Sequence, residues 1–350
     1  MTGRERVAKS LKFAVPDRVP RDLWLLPIVR VRRREELESL LRAFPLDIAS
    51  PPYKRGLSAR QKRSFALPWG YGGTFTEKGK DYIDEWGCIR RVGEDGVSGE
   101  VKEPILDDLS TTNHLSPPWD YLESTDLTGV NAHCARSESF MLSDLCARPF
   151  ERMQFLRGTE NLLLDLGYAP KEIFILRDMI HEYNLKRLSM WLSTDVDGIL
   201  LMDDWGSERN LLISPSTWRS FLKPLYREYC DLIHKNGKYV FFHSDGYIEK
   251  IFDDLIELGI EAINSQLFCM DIERIGRQYR GKITFWGEID RRLLFRGDKE
   301  EIRKAVSRVR RALDDAKGGV IAQCEWGKST PKVSIETVFE AWATPPQQIA

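Results

Sequence analysis

No run of about 18 consecutive apolar residues occurs in the chain, so the sequence offers no helical membrane span. There is no excess of charge either. Lys and Arg number 52 against 53 Asp and Glu, and so balanced a surface has no net field to recruit nucleic acid or an anionic membrane. The one basic cluster, Arg30-Val31-Arg32-Arg33-Arg34, runs into Glu35, Glu36 and Glu38 and reads as the start of a solvated helix. The six cysteines (88, 134, 146, 230, 269 and 324) form no CxxC pair. With a start, Met1-Thr2-Gly3-Arg4-Glu5-Arg6, that lacks the pattern of a signal peptide, free thiols and a cytoplasmic location are expected. No GxGxxG follows the first strand-like run and no GxxxxGK[ST] occurs, which removes the usual warrant for a dinucleotide fold or a P-loop.

What the chain does have is a succession of short β-branched or aromatic runs separated by helical spacing. Strands are expected at 21–26, 46–50, 130–135, 198–203, 238–243, 261–264, 282–287 and 319–324. Trp218, Phe221, Leu222, Leu225, Tyr229, Leu232 and Ile233 mark one intervening helix, opened by Ser214-Pro215 and closed by Lys235-Asn236-Gly237. Similar helices are expected at 248–258, 271–279 and 299–313, and two more within 148–193, parted at Gly167-Tyr168-Ala169-Pro170. Parallel neighbours need a crossover, and eight strands with helical crossovers favour a closed (β/α)8 barrel over an open sheet. Residues 64–104 break the repeat; Tyr82 to Val92 with the turn Glu94-Asp95-Gly96 reads as an inserted β-hairpin. The whole of 1–350 is expected to form one barrel domain.

In such a barrel the residues that end the strands converge on one mouth. The fourth strand ends in Asp203-Asp204-Trp205. Either Asp203 faces the mouth as an acid/base group, substrate anchor or metal ligand, with Trp205 walling the pocket, or one aspartate caps a turn and the other pairs with an arginine such as Arg209. The fifth strand ends in His243-Ser244-Asp245-Gly246, where positions two apart share a side and bring an imidazole beside a carboxylate. The eighth ends in Gln323-Cys324-Glu325-Trp326. Cys324 and Glu325 would complete a zinc site with His243, or Cys324 is simply small enough for the barrel wall. The sixth and seventh strands add Gln266 and Glu288, with Asp290 reaching inward or pairing with Arg291 and Arg292; Trp24 and Trp69 are candidate pocket walls.

The chain also resembles the uroporphyrinogen decarboxylase superfamily, in the branch that includes corrinoid-dependent methyltransferases. The resemblance is carried by Thr2-Gly3-Arg4-Glu5-Arg6-Val7, Pro16-Asp17-Arg18-Val19-Pro20, Asp203-Asp204-Trp205-Gly206-Ser207, Leu212-Ile213-Ser214-Pro215, Phe241-Phe242-His243-Ser244-Asp245-Gly246 and Thr284-Phe285-Trp286-Gly287. It implies a (β/α)8 barrel, often dimeric, with its pocket at the strand ends. The arginine-rich segment with which the true decarboxylase handles porphyrinogen carboxylates is missing; Trp24-Leu25-Leu26-Pro27 stands there instead. The methyltransferase branch implies zinc held by a His-x-Cys and a later Cys. His243 matches the histidine and Cys324 the last cysteine, whereas Asp245 replaces the middle cysteine. The resemblance therefore implies a metal site of His243, Asp245, Cys324 and Glu325 with more oxygen than usual. The expected function is methyl transfer between a small oxygenated donor and a cobamide on a separate corrinoid protein, with Asp203 and His243 catalytic and Trp24, Asp204, Trp205, Gln266 and Glu288 lining the substrate site. A cofactor-free decarboxylase of a small acid, using Asp203 with His243, and a non-catalytic binding barrel are the alternatives.

Overall fold

The computed structural model describes residues 1–63, 77–95 and 99–344. Its strands are β1 (Arg21–Leu25), β2 (Ile48–Ala49), β3 (Asp81–Ile83), β4 (Ile89–Arg91), β5 (Glu100–Glu103), β6 (Phe140–Ala147), β7 (Gly198–Met202), β8 (Tyr239–Ser244), β9 (Ala262–Ser265), β10 (Thr284–Trp286) and β11 (Val320–Trp326). Eight of them form one parallel sheet in the order β2-β6-β7-β8-β9-β10-β11-β1, wrapped by helices as a nearly closed (β/α)8 barrel. The remaining seam, between β1 and β2, is fastened at its base by one residue. Asp47 donates its N–H to Arg21 O at 2.9 Å and accepts Arg21 N–H on Oδ2 at 2.7 Å. Arg6 and Arg18 bind the same buried carboxylate. Among the described residues no helix is long and apolar enough to cross a membrane.

The third strand is not where the sequence pattern suggests. Residues 130–135 lie in a helix, Val130–Arg136, with Val130 and Cys134 buried one turn apart; the strand is β6. Two physical features hide β6. Ser143 and Asp144 interrupt its apolar run, and two register shifts against β7 break its alternation. The span 148–193 holds three helices rather than two, Pro149–Arg157, Thr159–Tyr168 and Lys171–Leu192, because Gly158 at φ 81° ends the first. Pro224 sits at the start of Lys223–Lys235 and divides the expected single helix from Pro215–Phe221, whose Ser214 caps it as anticipated by accepting Thr217 N–H.

The insertion is a three-stranded antiparallel sheet, β3-β4-β5. One hairpin turn lies at 84–87, where Asp84 Oδ1 accepts the N–H groups of Trp86 and Cys88, and Glu94 and Asp95 fall in the second connection, between the antiparallel strands β4 and β5. Trp69 and Gly96 lie outside the described residues. Arg152 binds Asp84 at 2.8 Å and Glu85 at 2.6 Å, which bolts this sheet to helix Pro149–Arg157.

Side-chain alternation sorts the strands into two layers. Phe140, Leu142, Phe241, Ala262, Trp286 and Ile321 fill the barrel, while the intervening residues face the helices. Asp22 is buried in the interior, with the Trp286 indole donating to it at 2.8 Å. Burial pushes its carboxyl up to about 6. Folding therefore favours the protonated form. The stability this contributes, about 3 kcal/mol, is full below about pH 4 and lost as pH rises through about 6. Asp22→Asn keeps an acceptor for the indole and should flatten the decline of Tm between those pH values; melts with an unchanged slope would place the proton uptake elsewhere.

Candidate functional site

The inward period of β8 that buries Tyr239 and Phe241 in the barrel carries His243 to its mouth. Two loops then converge on it. Gly206 after β7 and Gly246 after β8 touch backbone to backbone, so a Cβ on either would collide with the other loop; Gly246 also holds φ 79°. This approach lets Asp245 N–H donate to Asp204 Oδ1 at 2.8 Å. As a result His243 Nε2 stands 3.5 Å from Asp204 and 3.6 Å from Asp245, and one ligand atom from each of the three residues lies within 4.8 Å of the others.

The other imidazole nitrogen is committed. Asn264, the inward residue of β9, offers its Oδ1 to His243 Nδ1 at 2.6 Å, while its Nδ2 donates to Trp286 O and to Gln323 Oε1. With the amide nitrogen engaged on two carbonyl oxygens, the amide oxygen accepts the Nδ1 proton. Nε2 therefore presents its lone pair to the mouth in the neutral ring, the arrangement found in metal-ligating histidines with a fixed outer partner. The Trp24 ring packs 4.8 Å from the imidazole, centroid to centroid.

Arg291, on helix Arg291–Arg296, connects the rest of the mouth. It binds Asp245 and Glu288 at 3.1 Å and lies 3.6 Å from Glu325. Burial pushes the Glu288 carboxyl up to about 7, with Asp245 and Glu325 adding to the rise against the pull of Arg291. Gln266 braces the loop by accepting Gly246 N–H at 3.0 Å. Asp290 caps helix Arg291–Arg296 and pairs with Arg292, the structural alternative.

Three of the expected residues point away from the mouth. Asp203 is fully buried on the outer face of β7, where Phe150 N–H, Glu151 N–H and Tyr226 Oη–H all donate to it. It caps helix Pro149–Arg157 from another element. Burial pushes its carboxyl up to about 8, and the neighbouring Glu151 adds to this. Trp205 is stacked on Phe242 among Trp218 and Tyr226 in the helix layer. Cys324 lies on the same outer side as Ala322 and Trp326, and burial holds its thiol well above the usual range. The odd positions of β11, Gln323 and Glu325, have the inward direction of Ile321.

Next to β7 opens a cavity of about 680 Å3 that spans from the barrel mouth to the inserted sheet. Leu145, Leu200 and Met202 form its apolar wall, and Arg90, Arg148 and Glu151 bring polar groups to it. Met202 pairs with His243 in register, so the cavity ends beside the histidine. Sequence reasoning passed over Arg90 because it lies in the insertion, and over Arg148 and Glu151 because β6, which Arg148 directly follows, was expected at 130–135.

A solved structure titled a methyltransferase from Methanosarcina mazei superposes on the chain with a TM-score of 0.67 at 14% identity, covering 98% of both chains. A glycosylated endo-β-1,4-xylanase from Gloeophyllum trabeum reaches a TM-score of only 0.39 at 9% identity, over 63% of this chain and 81% of its own, and adds nothing to the argument. A search of curated protein sequences gave no match. The profile of uroporphyrinogen decarboxylase (URO-D) matches residues 89–344, from the inserted sheet through the last helix. With its strand-end histidine, its barrel and that match, the chain belongs to the uroporphyrinogen decarboxylase family.

Proposed function

We propose that this protein is a metal-dependent methyltransferase that moves a methyl group between a small, oxygen-bearing donor (a methoxylated compound, for example) and a cobamide carried by a separate corrinoid protein. The observation that carries the reading is His243 Nε2 aimed between Asp204 and Asp245 while Asn264 holds Nδ1. One imidazole and two carboxylates suit a divalent ion such as zinc, and they make a harder donor set than the thiolates that activate a thiol. With Cys324 on the outer face, the chain's own residues fit the first kind of site and not the second. The ion, when bound, would polarise an oxygen of the donor.

The protein's side chains then divide the remaining work. Asn264 sets the tautomer of His243, and Arg291 fixes Asp245 while answering the charge of Glu288 and Glu325. Glu288, with its carboxyl near 7, can hold or release a proton at Oε1 under neutral conditions, since Oε2 accepts from Arg291. Trp24 shields one side of the imidazole from water. The cavity of about 680 Å3 has the size of a small-molecule site. The cobamide is assigned to the partner, and no step is derived through it.

A second reading, decarboxylation of a small acid without a cofactor, is favoured by the same raised Glu288 beside Arg291, since a neutral carboxyl can deliver a proton to a carbanion. Asp203, capped against a helix, does not supply the partner to His243 that this reading first called for.

Calorimetric titration with zinc separates the two. The methyltransferase should bind one ion per chain and, with zinc, a methoxylated donor and reduced cobalamin, develop the visible absorption of a Co–C bond. Zinc binding without any spectral change over a panel of donors would sink methyl transfer. A folded protein that binds no divalent ion would favour the decarboxylase.

A further inference from the structure

We propose that the cavity beside β7 is a carboxylate-binding substrate site in which Arg90 anchors a small organic acid, so that the molecule acted on carries one carboxylate on an apolar body. The proposal rests on the reading of the His243 cluster as the reacting centre and names the class of molecule that reaches it.

Arg90 belongs to β4 of the inserted sheet and is 6% exposed. Its guanidinium is held in place on three sides. Nε donates to Asp84 at 3.4 Å, Nη1 donates to Gly99 O at 2.9 Å, and the plane lies over the Phe155 ring, 3.9 Å from its centroid. Nη2 alone is buried with no hydrogen-bond partner among the described residues. Buried arginine nitrogens nearly always have one, and an orphan on a residue that lines a cavity points to a ligand atom. Asp84 cannot turn to meet it, because it is already shared between Arg152, Trp86 N–H and Cys88 N–H.

A second orphan belongs to another residue of the same lining. Glu151 Oε2 is buried without a hydrogen-bond partner, 3.9 Å from Arg148 Nη1. A donor nitrogen fixed at one place and a carboxyl oxygen at another, with Leu145, Leu200 and Met202 among them, describe a ligand with a carboxylate, an apolar body and a polar substituent. The charge of the wall limits it further. Asp144, Glu100 and Glu151 line the cavity together with its arginines, so a second negative charge, as on a phosphate monoester, would meet repulsion. Because Met202 is the register neighbour of His243, an acid held at Arg90 extends its body along β7 toward the mouth.

The test is calorimetric binding of 4-methoxybenzoate, benzoate and glutarate to the full chain, each compared with its neutral amide. At least one of the acids should bind at least tenfold more tightly than its amide. Arg90→Lys keeps a positive charge near Asp84 but lacks the free nitrogen of the fork, and should abolish that preference while amide binding stays within twofold. His243→Ala should retain acid binding, which separates failure of this site from failure of the methyltransferase reading. Equal binding of acids and amides, an unaltered preference in Arg90→Lys with native circular dichroism, or no binding of any of the three acids would each overturn the proposal.

Discussion

Replacing His243 with alanine is expected to lower zinc affinity by at least about 100-fold, beyond the ten- to hundredfold typical of losing only an outer hydrogen-bonding partner. The substitution removes the one nitrogen donor of the Asp204–His243–Asp245 cluster and leaves two aspartates that Arg291 and the Asp245 backbone already engage. Methyl transfer should fall with it. The fold should survive at modest cost, because the vacated space is bordered by Trp24 and the change leaves one buried acceptor, Asn264 Oδ1, without its partner. That orphan costs about 1–3 kcal/mol, which a thermal melt will register as a shift rather than a loss of cooperativity. Zinc titration of the variant decides the matter: affinity unchanged from the parent would mean that the ion sits elsewhere.

Asp203→Ala should have the opposite profile. Three donors end on this buried carboxyl, the N–H groups of Phe150 and Glu151 and the Tyr226 hydroxyl. Alanine strands all of them in the helix layer, and at about 1–3 kcal/mol each the loss is on the order of 5 kcal/mol. A fall in Tm of about 7 °C follows for a chain of this size. Asp203→Asn, which keeps one acceptor oxygen, should lose less. If Asp203 instead served substrate at the mouth, alanine would spare the melting temperature and remove turnover, so a melt and an assay on the same preparation distinguish a cap from a reacting group.

These two neighbours, Asp203 and Asp204, show how far the sequence was legible. The barrel was readable because seven of its strands are short apolar runs with the expected period, and the motif at His243 was readable because a polar residue ending such a run has few structural reasons to be there. Which of two adjacent aspartates turns inward was not. That depends on the phase of alternation along β7, set by Leu200 and Met202 in the interior, and a one-residue change of phase exchanges the faces. Cys324 fails to join His243 for the same reason, since β11 enters the mouth on the phase of Ile321 and Gln323. Asn264 was visible as a strand-end residue, but its role comes from a hydrogen bond between strands 21 positions apart in sequence. Arg90 was invisible: only the folded insertion brings it over the barrel.

The seam between β1 and β2 has a mechanical meaning. Elsewhere around the barrel each pair of neighbours is laced along its length, and to part them is to break backbone bonds in succession. Here the circumference is a belt closed by a buckle at the base, with Asp47 as its pin and Arg6 and Arg18 as its sides. Above the pin no ladder bond joins the two strands among the described residues. Trp24, which covers one face of His243, rides on β1, the free side of that belt. The rim beside the imidazole is thus bordered by the one line of the barrel without ladder bonds among the described residues, and the fastening of that line is a charged clasp at the far end of the barrel from the chemistry.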